Sequence, residues 1–447
     1  MQNKRVVFKI KCVLAVVLII VVLFLYYLII QTGIVVGANK DVDNKIRNLK
    51  QTEEAKQTIE GTIVDREGDA ITYAEKAGKA AICLWAEEYS PIIGYNSPIY
   101  GTSGLRKTYE EKLLLGGKDR VGATIRLTTD NELQSFCYHL LGENIGSIVV
   151  LDNESSEILS IVSRSDEKIS YNVNEIDTNY EKYSAIPEFF YNRAVLAQDP
   201  PGSTWKMVTA ATMIEEGIEN YTYEDFGEYH GIRNAGGAAY GTTDLRRALI
   251  KSVNTYFASA GALLGGGKLK ETASKFLVGE EIPLDFTVLT SSFDLEYYQD
   301  SLVEQTAFGQ GKTQISPFQI AMILQTIVND GRMQKPYLIQ KISDDGKVIH
   351  EGKTEILGSP ISKDTCCKLK EYLNSVAESY GYESNDYGTV YAKTGTAEVK
   401  TKGYNHIYLV FADESYTGII SLDKSTQASG SLVDISKQIL DYLEKNM

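Results

Sequence analysis

The sequence predicts an α+β protein built on an antiparallel sheet flanked by helices, carried behind an N-terminal membrane anchor and a small leading domain. Three observations point there. β-rich runs at 147–163 and 390–422 enclose a mostly helical middle, so strands from both ends of one domain share a sheet. The run from Cys12 to Ile30 carries no charge. Between these, from Gly61 to Gly142, short β-prone runs alternate with turn residues and brief helical patterns.

At 447 residues, 43% hydrophobic and 23% charged, the chain is long enough for two or more domains and a substantial core. Its net charge of -14 would repel a phosphate polymer, and its Lys and Arg form no stripe, so no nucleic-acid partner is expected.

Residues 1–11 hold Lys4, Arg5, Lys9 and Lys11 and read as a cytoplasmic tail. Residues 12–30 read as a transmembrane helix, since at 1.5 Å per residue they reach roughly the 30 Å of a bilayer core. Tyr26 and Tyr27 mark its outer end. Lys40, Lys45 and Arg47 narrow the charge asymmetry, so the orientation also rests on function. The alternative is a secretory signal cleaved near Val36-Gly37-Ala38, whose apolar core would ordinarily run only ~7–15 residues. Residues 31–60 read as a helical stalk: Asn39 to Ile59 is polar, of mixed charge sign, and free of Pro and Gly.

Residues 61–142 form the expected pedestal domain. Gly61 to Ile71 reads as a hairpin turning at Glu67-Gly68, and Tyr100 to Leu115 as a turn followed by an amphipathic helix. Ile125 to Asp130 is a strand whose last residue caps the helix that follows. Residues 143–447 form the second domain. It opens on a hairpin, Ser147 to Leu151 and Ile158 to Ser163, and closes on strands Val390 to Thr394, Ile407 to Ala412 and Tyr416 to Leu422, then an amphipathic helix, Ser431 to Lys445.

Cys12, Cys83, Cys137, Cys366 and Cys367 show no CxxC spacing, so neither a disulfide framework nor a zinc site is indicated. Cys366 and Cys367 are neighbours on a predicted helix, pointing to different faces as unpaired thiols. His139, His230, His350 and His406 are isolated in sequence and read as structural or solvated. No cofactor is implied.

Three motifs carry chemistry. Ser203 and Lys206 stand as Ser-x-x-Lys after Pro200-Pro201-Gly202, and Lys206 to Glu215 is helix-prone, which places Ser203 at a helix N-terminus. The dipole there favours a developing anion, and Lys206 follows one turn later within reach of the Ser203 hydroxyl. A lysine accepts a proton only when neutral, so burial and a second cation, with Lys393 the candidate, must favour its free amine. Ser252 and Asn254, as Ser-x-Asn, would face the same cleft, Ser252 to relay a proton and Asn254 to bind an amide through donor and acceptor at once. Lys393, Thr394, Gly395 and Thr396 end a β run, where Gly395 would let substrate backbone lie close and Lys393 with Thr394 would hold a carboxylate. No Gly-x-Ser-x-Gly elbow occurs.

With these motifs in this order, the chain resembles the class B penicillin-binding proteins, the monofunctional peptidoglycan D,D-transpeptidases of serine β-lactamase-like fold. The likeness extends to Asn192-Arg193-Ala194, Phe308-Gly309-Gln310-Gly311 and Asn329-Asp330-Gly331. It implies Ser203 as acylated nucleophile, Lys206 as base, Ser252 and Asn254 as the second wall, and Lys393, Thr394 and Thr396 as the substrate strand. The N–H groups of Ser203 and Thr396 would form the oxyanion hole. The implied substrates are peptidoglycan stem peptides ending in D-Ala-D-Ala, with β-lactams as covalent inhibitors and a polytopic membrane glycan polymerase as partner. Ser155-Ser156-Glu157 lacks the glycine usual in that turn, and Arg106 replaces the usual acidic residue. Two other enzymatic outcomes use the same residues, a D,D-carboxypeptidase and a β-lactamase-like hydrolase. A membrane β-lactam sensor is the reading from another class.

Overall fold

The computed structural model describes residues 17–24, 53–116, 119–295, 300–383, 387–398 and 403–447. Residues 17–24 are helical and exposed; the rest of the expected span at 12–30, the basic tail and most of the stalk lie outside the described residues. Among the described residues no helix is long and apolar enough to cross a membrane.

The chain reverses at 65–69, where the Asp65 carboxylate accepts from the N–H groups of Glu67, Gly68 and Asp69 and Val64 bridges Ala70, as the Glu67-Gly68 signal predicts. Strand Ile63–Val64 (β1) also pairs in parallel with Thr124–Leu127 (β2), a partnership sequence spacing does not reveal. The helix expected at 100–115 is two short helices, Gly104–Thr108 and Glu110–Leu114, parted at Tyr109, whose hydroxyl donates to the Asp285 carbonyl. Buried Arg106 lies 2.8 Å from the Glu60 carboxylate, each side chain 2% exposed, so the cation unusual for the resembling family is paired on the spot.

Asp130 caps helix Asn131–Leu141 (α1), accepting from the Leu133 N–H at 2.8 Å. The boundary expected near Gly142 falls at the end of this helix, yet α1 packs Leu133, Cys137 and Leu141 onto the sheet that follows. Strands Gly146–Asp152 (β3) and Ile158–Arg164 (β4) form the predicted hairpin. Ser156 occupies the left-handed region at φ +65 in its turn, with its hydroxyl donating to Gln325 Oε1 at 3.1 Å.

The helical middle includes Lys206–Glu215 (α2), Leu245–Lys251 (α3), Asn254–Leu264 (α4) and Pro317–Val328 (α5). A second hairpin, Ile339–Asp344 (β5) and Lys347–Glu351 (β6), joins β1 and β2 in a four-stranded sheet ordered β1-β2-β5-β6. Helix Lys363–Ser379 (α6) follows, with Cys366 buried and Cys367 exposed as its periodicity predicts. Strands Tyr391–Glu398 (β7), Asn405–Ala412 (β8) and Tyr416–Ser425 (β9) and helix Leu432–Asn446 (α7) complete the chain.

The central sheet runs β7-β8-β9-β3-β4, antiparallel throughout, with Ile419 of β9 opposite Val149 of β3. Ile148, Val150, Leu409, Phe411 and Ile420 face α1 and α7. Val149, Leu151, Val410 and Ile419 face a larger core that includes α2 and α5. Helices on both faces explain why β3, β4, β8 and β9 are buried along nearly their whole length. They also leave β7 at the sheet edge beside the turn that carries Ser203.

Candidate active site

Pro200 and Pro201 lead into a 3₁₀ turn, Gly202–Trp205, and the α-helix begins only at Lys206. Ser203 therefore precedes α2 by one tight turn. Gly202, at φ +55, donates its N–H to the Gly309 carbonyl at 2.9 Å. Trp205 is buried and packs against Phe293, ring centroids 5.4 Å apart. Ser203 is partly exposed, and its hydroxyl makes no hydrogen bond among the described residues.

Lys206 is fully buried. Its side-chain nitrogen lies 2.7 Å from the Ser252 carbonyl, 2.7 Å from Asn254 Oδ1 and 3.1 Å from Ser252 Oγ. Burial first, and the charge of Lys393 second, hold its pKa well below the ordinary lysine value. The three contacts suit a neutral amine: two carbonyl oxygens only accept, while a hydroxyl can also donate to the free lone pair. Buried Lys393 donates to the same Ser252 Oγ at 3.2 Å and to the Thr394 carbonyl at 3.3 Å. The Ser252 hydroxyl thus lies between the side-chain nitrogens of the two lysines.

Ser252 reaches this place because it caps α3 in the left-handed region, φ 54 and ψ 45, and Asn254 opens α4 two residues later. Both ends of the Asn254 side-chain amide are engaged, Oδ1 by Lys206 and Nδ2 by the Arg233 carbonyl at 2.9 Å. The structure thus gives Asn254 a role in fixing Lys206, where the sequence predicted a two-ended grip on substrate.

On β7, Lys393 pairs opposite Val410 and Thr396 opposite Ile407, leaving the other edge of the strand unpaired by the sheet. The Thr394 hydroxyl shares a 2.8 Å hydrogen bond with the Tyr380 hydroxyl, and exposed Thr396 donates to Ser429 Oγ at 3.2 Å. Gly395 corrects the sequence reading: a Cβ there would lie 2.8 Å from the Pro201 carbonyl and 2.9 Å from Thr204 Cγ2. The room that glycine opens is filled by the Ser203 turn, because that turn packs against β7 itself. At Gly202 a Cβ would meet the Thr396 carbonyl at 2.5 Å, so turn and strand are interlocked by two glycines.

The Penicillin binding protein transpeptidase domain family matches residues 146–437. The chain belongs to this family. Among curated relatives, Penicillin-binding protein 3 of Bacillus subtilis is 28% identical over 340 residues, 67% of this chain and 49% of the relative. Peptidoglycan D,D-transpeptidase PbpA of Mycolicibacterium smegmatis is 26% identical over 360 residues, 71% of this chain and 72% of the relative. The chain thus spans about half the length of the Bacillus protein. Penicillin-binding protein A from M. tuberculosis, solved as a penicillin G acyl-enzyme complex, superposes with a TM-score of 0.77 at 21% identity, covering 87% of this chain and 100% of that one. That 87% reaches beyond the residues 146–437 matched by the family.

In this penicillin-binding transpeptidase domain, the three sequence segments meet: Lys206 contacts Ser252 and Asn254, Lys393 contacts Ser252, and Gly395 packs against the Ser203 turn. Sequence reasoning missed their supports. Tyr380 holds Thr394 from the end of α6, Gly309 holds Gly202, and Asp199, just before the Pro-Pro pair, meets His406 of β8. His406, isolated in sequence, is not isolated in space. Only the register that sets it opposite Ala397 would have placed it beside the site.

Proposed function

We propose that the protein is a membrane-anchored peptidoglycan D,D-transpeptidase that cross-links stem peptides through a Ser203 acyl-enzyme. The observation that carries this reading is the fully buried Lys206, its pKa held low, contacting Ser252 Oγ at 3.1 Å while Lys393 contacts the same oxygen at 3.2 Å. Ser203 Oγ attacks the carbonyl carbon of the penultimate D-Ala, and its proton passes to the free amine of Lys206, directly or through Ser252. The oxyanion meets the N–H groups of Ser203 and Thr396, which the interlocked glycines bring together. As the C–N bond breaks, Ser252 passes a proton to the departing D-Ala amine. An amine of a neighbouring stem then attacks the ester carbonyl and loses its proton to Lys206, which returns it to the departing Ser203 oxygen. Lys393 supplies positive charge for the substrate carboxylate, and the Thr394 and Thr396 hydroxyls flank it on the strand edge. A β-lactam would acylate Ser203 by the same first step.

On this reading residues 12–30 anchor the chain, residues 1–11 are cytoplasmic and residues 31–60 are the stalk. Residues 61–142 form a pedestal and 143–447 the extracytoplasmic catalytic domain. A polytopic membrane polymerase would supply the glycan strands.

A fluorescent penicillin tests the site: wild type labels and Ser203→Ala does not, and retained labelling in Ser203→Ala would remove Ser203 as nucleophile. A stem-peptide donor with and without an acceptor amine tests the outcome. Dimer formation supports transpeptidation, whereas free D-Ala without dimer, despite abundant acceptor, establishes the carboxypeptidase. In intact cells, protease digestion of the C-terminal domain from outside is the expected topology, and its protection would contradict the anchor.

A further inference from the structure

Behind the Ser203 turn lies a chain of charged side chains that the acyl-transfer chemistry above does not use. Asp199 sits immediately before Pro200-Pro201-Gly202-Ser203, with its carbonyl accepting from the Ile315 N–H at 3.1 Å. Its carboxylate lies 3.4 Å from His406 Nε2. The other ring nitrogen, Nδ1, lies 3.0 Å from Asp423 Oδ1 on β9. Arg193 holds the second oxygen of Asp423 and reaches Glu188 at 3.1 Å. Arg193, His406 and Asp423 are each less than a tenth exposed.

We infer that His406 is a positioning residue that ties the Ser203 turn to the Lys-Thr-Gly strand by bridging Asp199 and Asp423. The inference rests on the acyl-transfer reading of the site. Two features make the tie mechanically effective. His406 stands opposite Ala397, the residue after Thr396, so the imidazole is carried by the strand hydrogen-bonded to the one that would supply one oxyanion donor. Between Asp199 and the other donor, Ser203, lie two prolines with fixed φ, so a shift of Asp199 is transmitted along a stiff segment.

The bridge needs a charged imidazole: Nδ1 hydrogen-bonds Asp423, while Asp199, 3.4 Å from Nε2, is held by the positive charge. Five groups face it or its partners: Asp423 from β9, Asp199 from the nucleophile segment, Arg193 and Glu188 from the segment before it, and Tyr408 on its own strand. Burial works against the charged imidazole, but the Asp423 hydrogen bond and the charges of Asp423 and Asp199 outweigh it and raise its pKa. A raised pKa means the bridge is present at lower pH and is lost as pH rises through the folded value. A neutral imidazole can donate to one carboxylate only. At the acid end, Asp199, whose own pKa burial pushes up, loses its charge and the pairing ends.

The test is the second-order rate constant for acylation of the full chain by a fluorescent penicillin, measured from about pH 5 to about pH 10 for wild type, His406→Gln and Asp199→Asn. Near neutral pH both variants should acylate roughly 10- to 100-fold more slowly, the loss that displacing a reacting group by about an ångström brings. The wild-type to variant ratio should then fall toward one as His406 deprotonates. A ratio of one throughout, or a ratio constant with pH, would overturn the inference. If His406→Gln does not fold, Asp199→Asn carries the test, because the Asp199 side chain is 27% exposed and no core packing depends on its charge. Wild type that labels normally beside variants with an unchanged profile would refute the tie and leave the acyl-transfer reading intact. Wild type that never labels would refute that reading, and the tie with it.

Discussion

Gly202→Ala is the substitution that most directly tests whether the site depends on the contact between the Ser203 turn and the Lys-Thr-Gly strand. Gly202 has φ +55, a region where a side chain costs roughly 1–2 kcal/mol. A Cβ there would also lie 2.5 Å from the Thr396 carbonyl oxygen and 2.9 Å from the Thr396 nitrogen. An ordinary carbon contact needs about 3.5 Å, so turn and strand would have to part by about 1 Å. Overpacking of this kind typically costs about 1–3 kcal/mol. The displacement falls between the two proposed oxyanion donors, where about 1 Å is enough for a 10²-fold loss of rate. Gly217→Ala is the matched control: its φ is +72, it lies past the end of α2, and nothing stands within 4 Å of its Cβ. It should pay the backbone cost alone. The expected result is a lowered melting temperature in both, with acylation by fluorescent penicillin reduced about 100-fold only in Gly202→Ala. Equal acylation rates in the two folded variants would refute the claim that this contact sets the geometry of the site.

Other consequences follow from particular contacts. Lys393→Met removes the cation that helps depress the Lys206 pKa, so Lys206 would hold its proton to higher pH. The acid limb of the acylation profile should move upward in pH, and a uniform fall at every pH would assign Lys393 to substrate binding alone. Arg106→Met leaves the Glu60 carboxylate buried without its cation, and should cost about 3–5 kcal/mol in chemical denaturation. Ser156→Gly relieves φ +65 but loses the hydroxyl contact to Gln325, so stability should stay within about 1 kcal/mol of wild type. Asp330 is held down to about 2 by hydrogen bonds from Lys370 and Lys363. Its contribution is therefore present above the ordinary carboxylate pKa and lost as pH falls through about 2. Asp330→Asn should lower the melting temperature near neutral pH and have little effect at the acid extreme.

The sheet was legible in the sequence because most of its strands are short β-prone apolar runs bounded by turn residues, and the expected runs at 147–163 and 390–422 needed only extension at their ends. The Asp130 cap was legible because capping is local. The parallel pairing of β1 with β2, and the addition of β5, were not, since nothing near Ile63 encodes a partner at Ile125, nor near Ile125 one at Ile342. For the same reason the helix before Gly142 gave no sign that it packs on the following sheet. In the site, the burial of Lys206 and its dependence on Lys393 followed from the chemistry a Ser-x-x-Lys motif requires. The engagement of Asn254 by Arg233, and of Asp199 by His406, depends on backbone carbonyls and strand register, to which side-chain pattern is blind.

Why three remote motifs stay in register is a question about backbone more than about the motif side chains. Gly309 donates no side chain, yet a Cβ on it would lie 1.8 Å from the Gly202 carbonyl, and its own carbonyl accepts the Gly202 N–H. Gly202 in turn abuts Thr396, and Gly395 abuts Pro201 and Thr204. Three chain segments therefore meet main chain to main chain at the nucleophile, closer than any residue with a side chain permits. Such contacts have no rotamers to relax into, so the spacing between Ser203 and Thr396 is set by covalent geometry and hydrogen bonds. That arrangement suits an oxyanion hole made of two N–H groups, which stabilises charge only if the donors are already in place when the charge develops. It also fits the burial of the lysines: Ser252, Asn254 and the Thr394 carbonyl satisfy their donors, while the glycine contacts fix how closely the walls approach.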